Sequence, residues 1–97
     1  MLNIDKTADG AALTLRLEGR LDTATAPELE QELTLDGVTS LTLDLEDLAY
    51  ISSAGLRVLL SAQKAMNRQG EMKVLHVNDV VSEIFEVTGF NEILTIE

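Results

Sequence analysis

Between residues 40 and 45 apolar and polar side chains alternate: Leu41, Leu43 and Leu45 fall on one side, Thr42 and Asp44 on the other. A period of two belongs to a half-buried strand. From Leu56 the period lengthens. Leu56, Leu59, Leu60 and Met66, widened by Val58, Ala62 and Ala65, recur at helical spacing, while Arg57, Ser61, Lys64 and Arg68 gather on the opposite side. The pattern predicts a strand, a corner at Ser52-Ser53-Ala54-Gly55, and a helix that starts near Ser53 and stops at Gly70.

The flanking segments extend the same logic. Residues 2–7 and 11–19 read as two strands around Ala8-Asp9-Gly10, with Leu13, Leu15 and Leu17 on one face and Thr14, Arg16 and Glu18 facing water, as in an antiparallel hairpin. Thr25-Ala26-Pro27-Glu28 has the spacing of a capping box and predicts a helix over 26–33, closed by Asp36-Gly37. Residues 72–77 read as a strand buried on both faces. Asn78 or Asp79 then caps a helix through Val81, Ile84, Phe85 and Thr88, with Gly89 as a left-handed stop, and residues 93–96 read as a short last strand. Strands that alternate with helices need crossover connections. The expected fold is therefore α/β, a single domain over residues 1–97 with a mixed sheet of four to five strands covered by three to four helices.

Composition narrows this picture. With 97 residues and 45% apolar content the chain supports one core, and with aromatics at 3% that core has to be aliphatic. A formal charge of −10 argues against a surface that follows nucleic-acid phosphates, and against anionic membrane headgroups. Without cysteine there is no disulfide, thiolate metal site or thiol nucleophile. No signal-like start and no run of eighteen apolar residues occurs, so a soluble, cytoplasmic protein is expected.

Candidate chemistry concentrates at the corner. Ser52 and Ser53 stand where a helix wants a cap, and the same unpaired N–H groups, backed by the helix dipole, also accept a phosphate. On spacing alone both readings stay open. Asp22 is either a local turn acid or a group offered to a partner, and Arg57 either a solvated member of the polar stripe or a phosphate partner. His76, the single histidine, lies in an apolar stretch and reads as a satisfied core or edge residue. Asp44, Glu46 and Asp47 are strand-end acids with no third type of ligand beside them, so no metal site is expected. No phosphate-cradling glycine loop or nucleophile elbow is present; neither a catalytic residue nor a cofactor is expected.

The stretch Asp44 to Leu60 resembles the signature of STAS domains, and among them the bacterial anti-sigma factor antagonists (anti-anti-sigma factors), whose loop reads roughly Asp-Ser-Ser/Thr-Gly-Leu. Leu17-Glu18-Gly19-Arg20-Leu21-Asp22 and Ile84-Phe85-Glu86-Val87-Thr88-Gly89-Phe90 resemble further segments of that family in the same order. The resemblance implies that Ser53 is the phosphorylated serine, with Ser52 as second choice, and that Asp22, Ser52, Ser53, Ala54, Gly55, Leu56 and Arg57 form the partner-binding surface. It implies as partners an anti-sigma factor that is also a serine kinase, and a metal-dependent serine phosphatase; ATP and the metal belong to them. The chain itself would be a monomer or weak dimer. Two positions depart from the pattern: Ser52 replaces the usual Asp, and Ala54 replaces a second Ser or Thr, which removes any acceptor there. The first departure leaves an alternative, an unphosphorylated STAS scaffold or regulatory subunit of a transporter, lipid-handling or stress-signalling complex.

Overall fold

In the computed structural model, which describes residues 2–97, four strands lie in chain order across one sheet: β1 (Leu2–Asp9), β2 (Ala12–Leu21), β3 (Ser40–Ile51) and β4 (Glu71–Leu75). β1 and β2 pair antiparallel; β2–β3 and β3–β4 pair parallel, and the crossovers carry the helices. The hairpin turns at Gly10 and Ala11, one residue later than the sequence suggests, and Gly10 takes the left-handed φ of 61° that the turn requires.

Only one face of the sheet is packed. Leu13, Leu15, Leu41, Leu43, Met72 and Val74 point into the core, while their neighbours Thr14, Arg16, Thr42, Asp44 and Lys73 line an open polar face. Helices α1 (Ala26–Glu32), α2 (Ser53–Gln69), α3 (Asp79–Thr88) and the single turn α4 (Phe90–Ile93) cover the apolar side. Leu29, Leu59, Met66, Val81 and Phe85 from them join the strand leucines in one cluster. The expected mixed sheet with a helical cover is present, as are the ends set by Gly70, Asn78 and Gly89, the last at φ 80°.

Four local expectations change. β4 is buried on one face only, because it sits at the sheet margin and Glu71 and Lys73 face outward. Of the segment read as a last strand, Ile93 ends α4 and only Ile96 pairs, as a single parallel bridge to Val74. The capping box does not form: Thr25 Oγ1 donates to the Arg20 carbonyl at 2.8 Å and accepts from Asp22 N at 2.8 Å, so it ties the strand end to the helix rather than capping α1. Of the two readings of His76, core or edge, the core one fails. The residue follows β4 at φ 56° and its exposed ring turns back to Asp44 on β3.

Among the described residues one buried side-chain group is unsatisfied. Gln63 on α2 is only 6% exposed; its Nε2 donates to Asn67 Oδ1 at 2.9 Å, but its Oε1 has no partner. A buried acceptor without a donor costs about 1–3 kcal/mol. Gln63→Met keeps the length and removes that cost, and should raise stability by about 1 kcal/mol. In a thermal melt this appears as a rise of about 4–8 °C.

Candidate functional site

The corner forms because β2 and β3, being parallel, end side by side: Leu21 pairs with Ile51, and Ser52 N donates to the Leu21 carbonyl at 2.8 Å. The chain then enters α2 at once. Gly55 makes the close seat possible, since a Cβ there would come within 2.7 Å of Leu21 Cγ and 2.9 Å of Ile51 Cγ1.

The two serines divide the work. Ser52 is extended (φ −95°, ψ 175°); its Oγ accepts from Gly55 N at 3.4 Å and its carbonyl accepts from Leu56 N at 2.9 Å. Ser52 is therefore the cap. Ser53 is the first helical residue and exposed, and among the described residues its hydroxyl has no hydrogen-bond partner. The first turn of this 17-residue helix carries no acid, so the positive end of its dipole is uncompensated beside that hydroxyl.

The parallel pairing brings Asp22 next to Ser52. Its Oδ1 accepts from Ala24 N at 3.0 Å and Thr25 N at 3.1 Å, which closes the turn into α1. These bonds, that of the Thr25 N–H foremost, hold the Asp22 carboxyl below its ordinary value despite an opposing contribution from desolvation. The other oxygen is left to Arg20, whose Nε lies 4.0 Å away and whose guanidinium stacks 4.6 Å from the centre of the Tyr50 ring. Because the folded-state value is depressed, the stabilisation by Asp22 is present above the unfolded value of about 3.9 and is lost as pH falls through the folded value. The stability advantage of wild type over Asp22→Asn should thus be full at neutral pH and fade below about pH 4 in urea titrations.

Of the remaining expected residues, Arg57 is exposed and, among the described residues, forms no ion pair. It lines a surface groove of about 260 Å³ between α1 and α2, with Thr23, Pro27, Ala54 and Val58. Gly55 and Leu56 are buried, so they shape the corner from beneath. The Arg20–Tyr50 stack was not foreseen. Its only signal was an aromatic near the end of one strand and a cation near the end of another, and their pairing depends on two register shifts in β3.

A mixed four-stranded sheet with its helices on one face and a serine-bearing helix start at the end of a central strand defines a class, and the chain matches the family model described as Mlab, STAS domain over residues 4–95. It belongs to the STAS domain family. It is 34% identical over 97 aligned residues to an anti-sigma-B factor antagonist of Staphylococcus aureus, with 96% of this chain and 90% of that protein covered. Among solved structures it is similar to an anti-sigma factor antagonist from Mycobacterium paratuberculosis (TM-score 0.87, 19% identity, 99% of this chain and 85% of that one). It is also similar to the anti-sigma factor antagonist SpoIIAA in its unphosphorylated form (TM-score 0.81, 17% identity, 100% and 88%). At such identities these structures establish the fold. Among the described residues no helix is long and apolar enough to cross a membrane.

Proposed function

We propose that this chain is an anti-sigma factor antagonist: in the cytoplasm it binds an anti-sigma factor and so frees a sigma factor, acting by association and not by catalysis. The match to the Staphylococcus aureus antagonist, over 96% of this chain and 90% of that protein, supports the class of activity. The free, exposed Ser53 hydroxyl at the start of α2 is the observation that carries the control mechanism. An anti-sigma factor with serine kinase activity phosphorylates Ser53, and a metal-dependent phosphatase removes the group. Ser53, Asp22, Ala54 and Arg57 form the surface the partner reads, with Ser52, Gly55 and Leu56 fixing its shape.

The switch is electrostatic. A phosphoserine adds about −1.5 to −2 charges and three acceptor oxygens. Within the domain the unpaired N–H groups of α2 accommodate them; toward a partner fitted to a bare hydroxyl on a surface of net charge −10, they repel or fail to fit.

The test is displacement. Added to a preformed complex of its anti-sigma factor and sigma factor, the unmodified chain should release the sigma factor in size-exclusion chromatography. A sigma factor that stays bound at saturating chain would count against the reading. It would favour the scaffold alternative, which Ser52, a neutral cap in place of an acid, keeps in view.

A further inference from the structure

The open face of the sheet carries a cluster that the corner does not use. Asp44 and Glu46 lie on β3, and His76 reaches them from the far end of β4, where Asp44 pairs with Leu75. Left-handed backbone at His76 (φ 56°) turns the ring back over β3 instead of away from it. The result is His76 Nδ1 at 3.1 Å from Asp44 Oδ1 and 4.0 Å from Glu46 Oε2. One ligand atom from each of the three lies within 4.8 Å of the others.

We propose that Asp44, Glu46 and His76 bind a divalent transition-metal ion of the zinc class. This donor set differs from a solvated patch of acids in containing an imidazole nitrogen, contributed by the residue that follows β4. One nitrogen with two carboxylate oxygens suits Zn²⁺, Ni²⁺ or Co²⁺ and not Mg²⁺, which prefers oxygen alone. The spacing fits as well. Ligands about 2.0–2.2 Å from a zinc ion stand about 3–3.5 Å from one another, and the Asp44–His76 pair is already at that separation. Only Glu46 has to close in, and its side chain is 60% exposed and free to rotate. Asp44 Oδ1 also accepts from Glu46 N at 3.1 Å, which fixes the carboxylate that both other ligands approach. Asp47, the third acid of the segment, is held by Arg16 at 2.6 Å and is not needed. Remaining coordination positions face solvent and would be filled by water. Binding requires His76 Nδ1 without its proton, so the ring carries hydrogen on Nε2 in the bound state.

The probe is Zn²⁺ titrated into the full chain without a polyhistidine tag, followed by calorimetry and amide NMR. One ion per chain is expected, with shifts confined to residues 44–47 and 74–77 and none produced by Mg²⁺ at the same concentration. His76→Ala and Glu46→Gln should each weaken Zn²⁺ binding by about tenfold or more. Should His76→Ala fail to fold, His76→Asn removes the imidazole with a residue that tolerates left-handed backbone. Absence of saturable binding up to about 1 mM Zn²⁺, or equal affinity in the wild type and the His76 variant, would overturn the proposal.

Discussion

Ser53→Asp is expected to bind the anti-sigma factor about ten- to a hundredfold more weakly than wild type, whereas Ser53→Ala should bind within a few-fold of it. The asymmetry follows from the division between the two serines. Ser52 makes the cap, so removing the Ser53 hydroxyl breaks no hydrogen bond among the described residues and leaves α2 in place. An acid at 53, by contrast, brings charge to the point where a partner approaches. The helix start tolerates that charge, since carboxylates near a helix N-terminus are stabilising by about 0.3–1 kcal/mol, so the loss appears in binding and not in folding. The pair of measurements is a binding isotherm and a thermal melt for each variant. Equal weakening in both variants would mean that the hydroxyl itself is a contact, and a lowered melting temperature in Ser53→Asp would mean that the corner is structural.

A second large effect is expected at the far end of the same helix. Gly70→Ala should destabilise the fold by about 3 kcal/mol, at or beyond the upper end of ordinary overpacking. A Cβ at Gly70 would sit 2.0 Å from the Thr39 carbonyl oxygen and 2.6 Å from its carbon, both backbone atoms. The conformation is not the obstacle, because φ is 173° and any residue can be extended. Proximity is. Glu71 N donates to that same Thr39 oxygen at 3.0 Å, and the first β3–β4 pair, Ser40 with Glu71, follows directly, so relief requires parting the sheet where β4 joins. Gly55→Ala meets side-chain rather than backbone atoms, Leu21 Cγ and Ile51 Cγ1, and these buried side chains have to give way without parting the sheet. Urea denaturation should therefore rank the two with Gly70→Ala the less stable, while Gly55→Ala has the larger effect on partner binding because it lifts the first turn of α2 from the strand ends.

Where local chemistry and tertiary packing agree, the sequence was legible. The leucine alternation of β3, the helical period of α2, the Asn78 cap and the Gly70 and Gly89 stops all hold. The strand that carries the site runs on to Ile51, well past Leu45, and this could not be read. Its pairing shifts twice between Arg16 and Arg20 of β2, each shift inserts an extra residue in β3, and the two-residue parity that marks a strand is lost at Glu46-Asp47 and Ala49. Thr25 shows the other kind of failure: a correct cap residue at correct spacing was taken by the nearer partners Arg20 and Asp22. At the corner, residue types were enough to single out Ser52 and Ser53, but not to say which is the cap. That depends on one hydrogen bond, from Gly55 N. His76 eluded sequence reading because its approach to Asp44 needs both the β3–β4 register and a positive φ.

A kinase that controls this chain is expected to modify the free hydroxyl of Ser53. The decisive measurement is to incubate the chain with its kinase and ATP, then record the intact mass and map the modified peptide. A single added phosphate located on Ser53, and its disappearance in Ser53→Ala, is the expected result. No added phosphate, or a phosphate on Ser52 that persists in Ser53→Ala, would contradict it.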